Sequence, residues 1–168
     1  MYPTLEAYGI HHVDWETVYS ETEHLTAAEK NERYNDINRK WLSDFSAGNG
    51  LDNRVCESEH SFLSTYVPNR QAKRRLKTIS SVRNRLVNAL GDLILDEYTG
   101  KHLIIEIEDD DVLYRFLTHF STEEDGHLVG GALCSRGYLQ IIMSRHSWKF
   151  FSPILAHEMT HLFLSYYD

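Results

Sequence analysis

The segment Ser152-Pro153-Ile154-Leu155-Ala156-His157-Glu158-Met159-Thr160-His161-Leu162-Phe163-Leu164 makes two opposite demands on a single helix. At about 100° per residue, Leu155, Met159, Leu162 and Tyr166 fall on one side, spaced four, three and four, and such a stripe requires an apolar layer to cover it. His157 and His161 fall on the other side. Ser152 reads as the N-cap and Pro153 as the first helical residue, where its missing N–H costs nothing, so the helix is expected to start at Ser152. A chain with this segment has to place one helix face on a core and leave the opposite face open.

Two histidines four residues apart stand one turn apart, close enough for both imidazoles to reach one ion of zinc size. Glu158 is rotated off that line and can reach a water on the metal, the position of a general base. The bland reading is a helix that carries His, Glu and His by chance, since the pattern has only three fixed letters. The cap, the opposing stripe and the strand pattern that precedes the helix favour a metal site.

At 168 residues the chain suits one domain, or a domain with an extension, and 42% hydrophobic against 25% charged residues is ordinary for a globular protein. A net charge of −8 argues against attraction of the whole surface to nucleic acid or anionic lipid. Cys56 and Cys134 form no C-x-x-C, so neither a disulfide scaffold nor a thiolate zinc site is indicated. Residues Met1 to Ile10 lack the pattern of a signal peptide, and no stretch approaches a membrane span, so an intracellular location, cytoplasmic or nuclear, is expected.

Along the chain, residues 1–25 show no clear period, and the adjacent His11 and His12 point apart on any regular element. Thr26-Ala27-Ala28-Glu29 is a capping box for a helix of about 20 residues, with Tyr34, Ile37, Trp41 and Phe45 as its stripe and Ala47-Gly48-Asn49-Gly50 as its end. Residues 51–69 suggest a short helix or strand stopped by Pro68-Asn69. Arg70, Lys73, Arg74, Arg75, Lys77, Arg83 and Arg85 follow with no acidic residue among them. The commoner reading of such a run is a solvated helix face; the functional one is a patch for nucleic-acid phosphates.

Leu76, Ile79, Val82, Leu86, Leu90 and Leu93 carry a helical stripe to Glu97, and Thr99-Gly100 ends it. His102 to Glu108 then alternates like a strand covered on one face. Asp109-Asp110-Asp111 suits the start of a helix with Val112, Phe116 and Phe120 inward; as a calcium loop it lacks spaced ligands and a central glycine. Val129–Ser135 and Tyr138–Ser144, split by Arg136-Gly137, read as a hairpin. Gly130-Gly131 marks its first strand as an edge strand or bulge that another backbone could approach.

The order helix, strand, helix, hairpin, motif helix, with His157-Glu158-x-x-His161 on the last, resembles the N-terminal half of a zincin metallopeptidase. The run into Ile154-Leu155-Ala156-His157-Glu158-Met159-Thr160-His161 is most similar to the SprT-like (Spartan-like) group, with thermolysin-type gluzincins second. The likeness covers Val82 to Tyr167, about half the chain, and only its last stretch is specific. It implies an α+β fold: a backing helix, a twisted sheet with an edge strand and the HExxH helix over 70–168, after a helical N-terminal extension over 1–69. It implies Zn2+ held by His157 and His161, Glu158 as general base, and a protein or peptide substrate added as a strand along Gly130 and Gly131. The SprT-like likeness further implies action on DNA-associated proteins, with Arg70, Lys73, Arg74, Arg75 and Lys77 as the DNA-facing patch.

Both groups take a third ligand from beyond the motif helix, and seven residues follow His161. Asp168 is the one carboxylate or imidazole among them and so the candidate third ligand; a continuing helix puts it about 10 Å past His161, so it could bind only if the helix broke and the chain turned back. Leu164 and Tyr167 occupy the glycine and ligand positions of the extended HExxHxxGxxH motif, and His127 and His146 are upstream candidates on loops. A chain truncated after the motif helix is the expected explanation. The alternatives are a catalytically inactive zincin fold that serves as a protein-binding module, and a different metal hydrolase built on the same helix.

Overall fold

The computed structural model describes residues 1–91, 99–120, 130–145 and 150–164. Among them are seven strands and five helices, a mixed α+β architecture: β1 (Thr4–Ala7), β2 (Ile10–Val13), α1 (Trp15–Thr22), α2 (Ala27–Gly48), β3 (Arg54–Glu57), β4 (Ser61–Thr65), α3 (Asn69–Leu90), β5 (His102–Ile107), α4 (Asp110–Phe120), β6 (Gly131–Cys134), β7 (Gln140–Ser144) and α5 (Phe151–Leu164). β1 and β2 form an antiparallel hairpin, and the other five strands form one sheet in the order β3-β4-β5-β7-β6. The inner strands β4, β5 and β7 run parallel, while β3 and β6 pair antiparallel at the two edges.

Successive side chains of a strand point to opposite faces, and here the alternation divides two cores. Phe62, Leu103, Ile105, Ile107 and Ile142 face one layer with Ile37, Trp41, Leu42 and Phe45 of α2 and Val112, Leu113 and Phe116 of α4. Leu63, Ile104, Ile141 and Met143 face the other, with Ile79 and Val82 of α3 and Leu155, Met159 and Leu162 of α5. The sheet is therefore covered on both sides, as parallel strands require.

Local signals explain the helix starts. Thr26 accepts from Glu29 N while the Glu29 carboxylate accepts from Thr26 N, the capping box expected from the sequence. Asp109 Oδ1 accepts from Asp111 N and Val112 N and opens α4. Phe116 is fully buried and Phe120 packs at the margin of the core.

Three expectations change. Residues 1–69 are not a helical extension: β3 and β4 lie within them, and β4 pairs along β5 from Ser61↔His102 to Ser64↔Ile105, so the sheet runs across the expected boundary. The polar Ser61, Ser64 and Thr65 hide a strand whose residues are all buried. β5 is covered on both faces, and its one charged residue, Glu106, is tolerated because Arg75 of α3 pairs with it. The last helix starts at Phe151, one residue before the expected cap, because the Phe151 ring is drawn into the second core. Ser152 is therefore inside the first turn and Pro153 remains where its lost N–H is harmless. Leu93, Glu97, Val129, Tyr166 and Tyr167 lie outside the described residues.

Candidate metal centre

Five apolar side chains anchor α5: Phe151, Leu155, Met159, Leu162 and Phe163 are buried between α3 and the sheet. That fixes the rotation of the helix and leaves His157 and His161 exposed on the far side, as the spacing predicts. Their Nε2 atoms are 3.1 Å apart, with ring centroids 4.6 Å apart and the planes at 81°. Two imidazoles on one tetrahedral zinc at ~2.05 Å would have nitrogens about 3.3 Å apart, so the pair fits a shared ion after a small opening. The same separation suits an N–H···N hydrogen bond, in which one ring donates to the other.

Glu158, unlike the two histidines, is only 8% exposed. Its helix rests on the edge strand β6, where Ile154 meets Gly131, and its charge reaches Cys134. Burial, with the Glu158 charge second, pushes the Cys134 thiol up to about 12, so this cysteine stays a neutral core residue. A carboxylate set beside the histidine pair but withdrawn from solvent suits a base acting on a water beside the pair, rather than a third ligand. The sequence placed Glu158 off the ligand line; its burial and its approach to Cys134 of β6 are tertiary features that the helix pattern does not show.

Gly130 and Gly131 behave as an edge element. β6 is the outermost strand among the described residues, and Ser144 N donates to Gly130 O across to β7. Antiparallel pairing alternates, so the backbone groups of Gly131 and Leu133 are directed to the free side. Gly130 has φ 140°, a conformation that side chains avoid. At Gly131 a Cβ would stand 2.7 Å from Ile154 Cγ2 and 3.3 Å from Ile142 O, so the close approach marked by this glycine is that of α5 itself.

The basic run is divided. Arg70, Lys73, Arg74 and Lys77 lie along one exposed stripe of α3, whereas Arg75 faces inward at 5% exposed. Arg75 donates to Glu106 and Thr65 and stacks over the rings of Tyr66 and Phe151, so it belongs to the core and not to a nucleic-acid patch.

Among the described residues no group of three His, Cys, Asp or Glu side chains could hold a metal ion. His157 and His161 thus stand as a pair without a third such donor among the described residues, and Asp168, His127 and His146 all lie outside them. Cys56 and Cys134 are free thiols. No helix among the described residues is long and apolar enough to cross a membrane. No protein-family model, curated protein or solved structure matches the chain.

Proposed function

We propose that this chain is a zinc-dependent endopeptidase domain, in which His157 and His161 hold the ion and Glu158 is the general base. The observation that carries this reading is the contrast on α5: two exposed imidazoles with Nε2 atoms 3.1 Å apart and, between them in sequence, a carboxylate only 8% exposed. When bound, zinc would supply a Lewis acid for the peptide carbonyl and lower the pKa of a nearby water. Glu158 takes the proton of the attacking water and returns it to the leaving amine. The free side of β6, through the backbone of Gly131 and Leu133, receives the substrate as an added strand, which fixes its direction without reading its sequence. Of the proposed DNA-facing patch, Arg70, Lys73, Arg74 and Lys77 remain available for phosphate contact.

That no third donor joins the pair among the described residues favours a second reading, a zincin-like scaffold that binds proteins without cleaving them. Zinc content by elemental analysis after dialysis, read beside cleavage of an unfolded protein substrate, separates the two. The peptidase reading expects about one zinc per chain, lost in His157→Ala, and cleavage lost in Glu158→Gln with zinc retained. A folded chain with no zinc and no cleavage refutes the peptidase reading for these residues and supports the scaffold.

A further inference from the structure

On the face of the sheet opposite α5, a cavity of about 210 Å³ opens between β2, the start of α1, the end of α4 and the turn joining β6 to β7. Of its polar lining Arg136 donates to His119 O and Asp14 caps α1, but two buried side chains are unpaired. His12 is 3% exposed and neither ring nitrogen has a hydrogen-bond partner; Gln140 is 4% exposed and its Oε1 has none. Leaving such buried groups unmade is costly, which points to an occupant. His12 stacks on His119 with centroids 4.2 Å apart and planes at 23°. Rings in near-parallel planes do not converge on one ion, and no third donor joins them among the described residues, so a metal is disfavoured.

The lining defines what would fit. Burial, with His119, His11 and Arg136 adding, pushes His12 down to about 3, so at neutral pH the ring offers one donor and one acceptor. Gln140 Oε1 is a second acceptor. The charges at the rim have both signs: Arg136 on the turn, Asp14 and Glu16 at the start of α1. Asp14 is already engaged as the cap of Thr17, which leaves Glu16 as the open carboxylate. Trp41 supplies an apolar wall.

We infer that this cavity binds a free α-amino acid, with its ammonium donating to Gln140 Oε1 and to the His12 acceptor, and its carboxylate held by Arg136. A zwitterion matches both the unpaired groups and the mixed rim, and the volume is below that of a drug-sized pocket. The site shares no residue with the histidine pair of α5 and does not depend on the peptidase reading.

The test is calorimetric titration of the full chain with the common L-amino acids one at a time, up to about 10 mM. At least one should bind with a Kd of about 1 mM or tighter. Its N-acetyl and methyl-ester derivatives should each bind at least about tenfold more weakly, because each removes one charge. Arg136→Ala, at an exposed position, should weaken binding by about tenfold or more, and Gln140→Leu should weaken it without lowering the melting temperature. Should Gln140→Leu fail to fold, Arg136→Ala and the capped ligands still decide. Failure of every amino acid to bind would make this a water-filled cavity and overturn the inference, as would binding indifferent to capping and to Arg136.

Discussion

Replacing Arg75 with Met would remove the guanidinium that neutralises Glu106 and leave the carboxylate, 3% exposed, in the layer between the sheet and α3. Breaking one side of a buried pair costs about 3–5 kcal/mol, because the remaining charge is neither hydrated nor neutralised. The Thr65 hydroxyl still donates to Glu106 and draws the figure toward the lower end. Loss of the cation from over Phe151 and Tyr66 draws it back up, by roughly 0.5–2 kcal/mol. A change of this size lowers the melting temperature by about 6–20 °C for a domain this long. Thermal and urea unfolding of Arg75→Met, beside Lys73→Ala from the exposed stripe of the same helix, measures the difference. The Lys73 variant should stay within about 0.5 kcal/mol of the parent. The double variant Arg75→Met/Glu106→Leu should recover most of the loss, since apolar replacement of a whole buried pair is often neutral. If Arg75→Met unfolds like Lys73→Ala, or if the double variant is no better than the single one, the pair is not the internal brace described above.

Gly131→Ala should destabilise by about 1–3 kcal/mol and weaken zinc retention, because the new Cβ would push α5 through Ile154; unfolding curves and metal content check both. Thr26→Ala removes one arm of the capping box and should cost about 0.5–2 kcal/mol by urea unfolding. Acid should weaken the fold in a defined window. His12 and His102 are each held near 3 by burial against an ordinary 6.5, so between those values the unfolded chain binds more protons. Stability is therefore full above about pH 6.5 and falls as pH drops, by about 1.4 kcal/mol per pH unit for each ring, and His12→Phe should flatten the slope by half.

Helices were legible where one face alternates with solvent. Tyr34, Ile37, Trp41 and Phe45, and later Leu155, Met159 and Leu162, are buried as their spacing requires, because a single helix carries both its apolar stripe and its polar side. The β6–β7 pairing was legible, but not its turn: the connection runs from Ser135 to Leu139 instead of Arg136-Gly137 alone, with Tyr138 buried in it. β4 was not legible. Its partners are β3 and β5, and a strand covered on both faces has no polar side to reveal its period. Arg75 reads as one more member of a basic run until Glu106, 31 residues away, is brought beside it. At the candidate site the same division holds: the histidine pair follows from one helical turn, and the burial of Glu158 is a tertiary feature that the helix pattern does not show.

That division separates when the parts of the site come into being. The two imidazoles meet across one turn of α5, a contact that helix formation alone supplies on a submicrosecond timescale. Glu158 comes near Cys134 only once α5 has docked on the sheet, and the parallel pairs of that sheet join residues such as Leu63 with Ile104 and Ile104 with Ile141. Contacts between such distant residues close late. On the peptidase reading proposed above, metal capture would therefore precede the assembly of the general base during folding, and a partly folded chain would hold an ion before it had any means of using it.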